Sequence, residues 1–284
     1  MPWKKTETGI VHFVSTTAGL WTEIVSQETQ IEISQLLSWA RFGCVYLNDS
    51  RILDECEVQP DDYLRIHTDP RRFPRIHLND RVAFENEDLL IVNKPAGLPC
   101  HPTVDNLHEN LWKDLESQFS LTLYPTHRLD VPTSGLVVLA KTSAAQLDFQ
   151  NLLRDKKVQK IYQALVTTPG PELGLHEHYM QKSRYAPKTI WEQPRPQTQV
   201  CQLRILKKEI LSSEKTRLEI ELITGRTHQI RAQLAFLGYP VLDDHLYADF
   251  ESRIQDEKIQ LRCVYLKFPW HQQELEYRLP EPLS

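Results

Sequence analysis

Asp130 stands in the run His127-Arg128-Leu129-Asp130-Val131-Pro132-Thr133-Ser134-Gly135, directly ahead of the apolar stretch Leu136–Ala140. An ionised carboxylate can serve as nucleophile or base, and a neighbouring arginine such as Arg128 favours the ionised form of an acid. A buried strand beginning at Gly135 would hold the acid at the rim of a rigid core, on a loop that cannot wander. Ion-paired loop acids are commonly structural, but three further segments carry chemistry of their own. Asn93-Lys94-Pro95-Ala96-Gly97 places one lysine at a strand end before a rigid turn. In Lys160-Ile161-Tyr162-Gln163-Ala164, two-residue alternation sets Lys160, Tyr162 and Ala164 on one side of a strand. Gly225-Arg226-Thr227-His228-Gln229-Ile230-Arg231 is a strand-to-helix junction dense in donors. Free backbone N–H groups at such a junction can receive a carboxylate or a phosphate.

The elements that must position these residues alternate between strands and helices. Before Arg75 the chain reads as a small module. A helix over 34–42 carries Leu36, Leu37 and Ala40 and ends at Gly43, and strands follow at Cys44–Leu47 and Tyr63–His67. Asp69-Pro70-Arg71-Arg72-Phe73-Pro74 has the proline density of a linker, which sets the domain boundary at 75/76. Beyond it, Val82–Glu85 and Leu89–Asn93 form a hairpin, and Leu107, Leu111 and Leu115 mark a helix. A capping box at Ser143 to Gln146 opens a helix carrying Leu147, Leu152 and Leu153. Val158–Thr167 reads as a strand, 172–196 as an irregular excursion with several prolines, and Leu218 to Leu222 as a strand with one wet face. A helix over Arg226–Leu237 ends at Gly238. The pattern implies an α+β fold with a mixed, mostly antiparallel sheet and flanking helices.

Composition narrows the functional classes. The 284 residues include five scattered cysteines, none two residues from another, which fits reduced thiols in a cytoplasmic protein better than a disulfide framework or zinc site. No apolar run is long enough to span a bilayer, and no secretory signal opens the chain. The formal net charge of −5 is unusual for a nucleic-acid binder. Cations nevertheless cluster locally, at Arg71, Arg72 and Arg75, at Lys156, Lys157 and Lys160, and at Lys182, Arg184, Lys188 and Arg195. A basic groove on an acidic body suits an enzyme that visits its substrate briefly.

Taken together, Lys94-Pro95-x-Gly97, the run His127–Thr142, and Gly225–Arg231 followed by Gly238-Tyr239-Pro240-Val241 resemble the RluA-like family of RNA pseudouridine synthases. The resemblance extends in order from about 82 to 282. It implies the pseudouridine synthase fold over 76–284, isomerisation of uridines in ribosomal or transfer RNA, and no metal or organic cofactor. Residue by residue, it makes Asp130 the catalytic acid, Tyr162 the aromatic that stacks on the target base, and Arg226 the arginine that pairs with the acid. Arg128 then helps displace the flipped nucleotide, and Lys94, Lys160, His228 and Arg231 are expected RNA contacts. The chemistry is consistent with one carboxylate, unlike a glycoside hydrolase with its pair. Residues 1–75 resemble, more distantly, a small RNA-binding module shared with a ribosomal small-subunit protein. Gly43-x-Val45-x-Leu47-Asn48 and Asp61-Asp62-Tyr63-Leu64 carry that likeness, while Glu32, Gln35 and Trp39 replace its basic helix. Two departures stand in the larger domain: Asp243-Asp244-His245 where Gly-Asp is usual, and Leu261-Arg262-Cys263 where Leu-His-Ala is usual.

Two rival classes remain. One is a catalytically silent RNA-binding protein of the same fold, against which Asp130, Tyr162 and Arg226 argue together. The other is a metal-dependent hydrolase built on His101, His127, His228, His245 and Asp243, for which no tight ligand spacing appears. Nothing requires a partner chain, so a monomer that binds RNA without a membrane is expected.

Overall fold

The computed structural model describes residues 3–183, 185–248, 258–280 and 282–283. The chain divides into two compact units, Met1–Arg75 with His101–Asp114, and Ile76–Cys100 with Leu115–Ser284. A sequence boundary at 75/76 therefore coincides with one crossing, but His101–Asp114 joins the first unit. Two nearly buried acids explain this. Asp105 is held by Arg71 (2.7 Å) and Glu109 by Arg72 (2.6 Å), so the segment carries the counter-charges of the proline-rich stretch. Arg71 and Arg72 thus serve as counter-charges within this unit while their side chains stay partly exposed.

In the first unit, five antiparallel strands run in the order Trp3–Lys5, Ile10–Val14, Tyr63–His67, Val45–Leu47, Ser50–Ile52. Helices Trp21–Thr29 and Ile33–Phe42 bury Trp21, Val25, Leu36 and Ala40 against Val11, Phe13 and Leu64. Gly43 closes the second helix at φ 90°, and a Cβ there would lie 2.6 Å from that of Leu107. The hairpin turn at Asn48 and Asp49 uses left-handed backbone at both residues (φ 45° and 65°), which these two side chains tolerate. The helix expected from Leu107 begins only at Leu111, because Asn110 accepts the amide of Lys113 (3.1 Å) and caps it.

The second unit is built on one eleven-stranded sheet. Its principal strands are β1 (Val82–Glu85), β2 (Leu89–Lys94), β3 (Ser134–Ala140), β4 (Gln159–Thr167), β5 (Gly174–Gln181), β6 (Thr198–Ile210), β7 (Lys215–Leu222), β8 (Leu261–Trp270) and β9 (Gln273–Arg278). They run in the order β5-β6-β7-β4-β8-β3-β2-β1, with β9 paired to β8. Among the described ladders only β3 and β8 are parallel, so the mostly antiparallel α+β expectation holds. The excursion at 172–196 is largely ordered as β5 and a short strand Ile190–Trp191, and its prolines lie mainly between the pairing segments.

Helix α1 (Ser143–Arg154) starts one residue away from the expected box, with Thr142 accepting the amide of Ala145 (3.1 Å). It buries Ala145 and Phe149 and leaves Leu147 59% exposed, so the sequence stripe through Leu147 named the wrong face. Phe149 packs on Phe268 and His127, joining the helix to β8 and to the Asp130 loop.

Candidate active site

Asp130 lies four residues before β3 and is clamped on both sides. Cys100 Sγ accepts the amide of Leu129 (3.2 Å) and donates to its carbonyl (3.4 Å). Val131 O accepts from the Gly97 amide (2.9 Å) and from the Lys94 ammonium (3.2 Å). Lys94 also donates to Pro95 O and Leu98 O and is completely buried. This corrects its expected role: Lys94 is an interior fastener and cannot reach RNA. Burial pulls its pKa down to about 8. Gly135 permits the strand to pass against β8. It has φ 113°, and a Cβ there would stand 2.2 Å from the Cys263 carbonyl oxygen.

The clamped acid opens onto a cavity of about 820 Å³ whose wall includes Arg128, Asp130, Lys160, Tyr162, Arg226, His228 and Arg231. The sequence motifs thus converge on one pocket, Lys94 excepted. Two side-chain nitrogens face the carboxylate. Arg231 Nη1 stands 3.8 Å from Oδ2, and His228 Nε2 stands 3.9 Å from Oδ1. The arginine that approaches Asp130 is therefore Arg231, not Arg226, and Arg231 is buried rather than exposed to RNA. The reason is where the helix starts. Helix α2 spans Gln229–Phe236, three residues later than the sequence pattern, so Arg231 falls in its first turn facing inward. Arg226 belongs to the exposed turn before it.

Arg231 is oriented by Asp244, which takes Nε (2.7 Å) and Nη2 (2.8 Å) in a bidentate pair. Asp244 is 1% exposed, and no sequence signal beyond its place after Pro240-Val241-Leu242 marked it. Asp243, where the resembling family has glycine, adopts φ 65° and so keeps the left-handed turn without glycine. Gln229 organises the turn beneath. Its Oε1 accepts Thr224 Oγ1 (2.8 Å) and the Arg226 amide (3.1 Å), and its Nε2 donates to Gln233 Oε1 (2.9 Å). One of the amides expected to cradle an anion is therefore satisfied internally.

Tyr162 is 5% exposed, and burial, then Cys263, raises its phenol well above the ordinary range. It is a protonated aromatic at neutral pH. The residue the sequence marked as a departure, Cys263, is thus in the surroundings of Tyr162. Lys160 lines the same wall, with its pKa lowered by burial. His127 accepts the Val138 amide on Nε2 (3.1 Å), and burial, reinforced by Lys160, holds its pKa near 3. Arg128 is exposed and donates to Thr227 Oγ1 (3.0 Å), which links the acid loop to the 225–231 turn across the pocket. The mouth adds Arg154, Lys156, Lys157 and Arg204, a basic rim on an acidic chain. In the 182–195 cluster, Lys188 is turned inward, its ammonium on Ser183 O and Tyr185 O (2.8 Å to the latter). Arg184 lies outside the described residues. Among the described residues no group of three or more His, Cys, Asp or Glu side chains could hold a metal ion. No helix there is long and apolar enough to cross a membrane.

A central sheet brings an acid loop, an aromatic strand and an arginine helix around one cleft, and comparison with known proteins gives the family. Residues 88–236 match the profile described as RNA pseudouridylate synthase. An uncharacterised RNA pseudouridine synthase of Mycoplasma pneumoniae (the MG370 homolog) is 31% identical over 265 residues, covering 84% of this chain and 81% of its own. The chloroplastic RNA pseudouridine synthase 6 of Arabidopsis thaliana is 33% identical over 210 residues, 65% of this chain and 44% of that one. The chain thus spans under half the length of that chloroplastic relative. Human RNA pseudouridylate synthase domain containing 1 shares the fold, with a TM-score of 0.58 at 24% identity over 75% of this chain and 86% of that one. The chain belongs to the RNA pseudouridylate synthase family.

Proposed function

We propose that the chain isomerises uridine to pseudouridine in ribosomal or transfer RNA, with Asp130 as the group that attacks or deprotonates the sugar. The observation that carries this reading is the Asp130 carboxylate at a cleft of about 820 Å³, faced by Arg231 and His228 and walled by Tyr162. In the reaction the N1–C1′ bond breaks, the uracil turns, and a C5–C1′ bond forms. C5 loses its proton and N1 gains one, so no atom is added or removed. A single ionised acid meets this need, because no water has to be activated. Tyr162, held as a phenol, supplies a face for the base rather than a proton acceptor at rest. The target must leave its stack, at a cost of a few kcal/mol. Arg128 beside the opening suits the space it vacates.

The basic rim supports an RNA partner, and RNA sites of this kind lie in single-stranded loops where bases splay. Five free thiols support a reducing, cytoplasmic setting. Nucleoside analysis of total RNA treated with wild type and with Asp130→Asn tests the proposal. Wild type should form pseudouridine and the folded variant none. Equal inactivity of both proteins would favour the silent RNA binder.

A further inference from the structure

The five-stranded sheet of the first unit buries one face and shows the other. Val11, Phe13, Val45, Leu64 and Ile66 join the helices in the core. Alternation sends their neighbours to the opposite side. There the register lines up Lys4, His12, Arg65, Tyr46 and Arg51 as direct cross-strand partners, one from each strand. Tyr63 stands two residues before Arg65 on the same side, and its own cross-strand partner Val14 is 43% exposed. The far end of the row is covered. Tyr46 is buried, its hydroxyl donating to Val104 O (2.9 Å) and accepting from Arg51 (2.6 Å). At the near end Lys4 is exposed, and His12, Tyr63 and Arg65 are half-buried.

That near end is held in shape. The His12 and Tyr63 rings lie 18° from parallel at 5.9 Å, with Nδ1 meeting the phenol oxygen at 2.5 Å. Arg65 lies over the Tyr46 ring at 4.6 Å, so stacking fixes its guanidinium. Its Nε has no hydrogen-bond partner, its contact with the exposed Asp49 is long (3.9 Å), and its side chain is 30% exposed. The helical side of the unit has the other sign, with Glu23, Glu28 and Glu32 exposed and Arg41 paired to Asp54.

We propose that the helix-free face of this sheet is a docking surface for single-stranded RNA, beyond the isomerisation chemistry: bases stack on His12 and Tyr63 while Lys4 and Arg65 take phosphates. Flat rings set between cations match the alternation of base and phosphate along a single strand. An acidic peptide would use the cations and leave the rings idle. Lys4 and Arg65 stand two strand spacings apart, about 10 Å, with His12 between them. The helices, with their exposed carboxylates, take no part.

Docking here does not depend on the pseudouridine reading, and the test keeps the two apart. Ultraviolet cross-linking of the full wild-type chain to oligo(4-thiouridine), followed by peptide mass mapping, should place adducts on Ile10–Val14 and Tyr63–His67. Adducts confined to the second unit, or none, overturn the proposal whether or not the protein forms pseudouridine. Lys4→Gln with Arg65→Gln removes two charges from the face, and Gln27→Glu with Gln35→Glu lowers the net charge equally from the helices. With subsaturating RNA, the first pair should cut adducts on these two strands about tenfold and the second less than about twofold. The affinity read from those adducts should also lose about 1.4 of its log–log salt slope in the first pair, as for two phosphate contacts to a single strand. Equal losses in both pairs would mean that only net charge is sensed, and would overturn the docking face.

Discussion

Charge placement around Asp130 depends on three side chains whose types the sequence displays and whose directions it does not. Lys94 ends a strand and carries a cation, so a substrate contact is the natural expectation, yet its ammonium satisfies three backbone carbonyls. Lys94→Met should destabilise the protein by about 3 kcal/mol, the cost of leaving buried acceptors unpaired, with RNA affinity of the folded fraction unchanged. Denaturant unfolding and filter binding measure the two effects separately. Arg226 and Arg231 both sit in a donor-rich motif, and only the start of α2 at Gln229 decides which one turns inward. Arg226→Met should weaken RNA binding a few-fold, whereas Arg231→Met should abolish isomerisation and strand buried Asp244 at about 3–5 kcal/mol. Comparable losses in both variants would contradict the assignment. His127 adds a pH signature. Unfolded, it takes a proton near pH 6.5; folded, it resists until about 3. Stability should therefore fall as pH drops from about 6.5 towards 3, and His127→Gln should flatten that slope by up to about 1.4 kcal/mol per pH unit. Urea midpoints between those limits check it.

Elements were legible where one rule acts alone. The alternation in β7, the hairpin of β1 and β2, and the glycine stop at Gly43 follow from local chemistry. Tertiary contacts decide the rest. Leu147 has the right spacing for a core stripe, but Phe149 reaches Phe268 and Trp270, so α1 turns that face inward and Leu147 outward. The strand β5 was obscured because few of its residues are fully buried, leaving little hydrophobic periodicity to read. Gly135 illustrates a constraint that is invisible in sequence, since the atom it avoids belongs to Cys263, 128 positions later in the chain's numbering (263 − 135). Gly135→Ala should separate β3 from β8 and lower stability on the order of 4 kcal/mol, taking the acid loop with it. A melting temperature near that of wild type would show that the close approach can relax.

The molecule as a whole poses a question of cutting and of charge. Removing residues 1–75 looks like a clean excision in sequence, but Asp105 and Glu109 would lose Arg71 and Arg72. Both arginines hold their acids well below the ordinary carboxylate range, Glu109 at about 2, even though burial opposes this. The truncated chain should therefore aggregate unless 101–114 is replaced as well, which sedimentation can determine. The fold class was readable because the motifs of the sheet unit lie in order along the chain, whereas the return of 101–114 to the first unit depends on distant ion pairs. On a body of net charge −5, the basic rim predicts RNA binding that weakens steadily with salt. The central claim concerns Asp130, and single-turnover release of tritium from C5 of uridine in substrate RNA tests it most directly. Wild type should release the label in one turnover and Asp130→Asn, melting at the same temperature, should release none above background. Release by that variant at the wild-type rate would contradict the account.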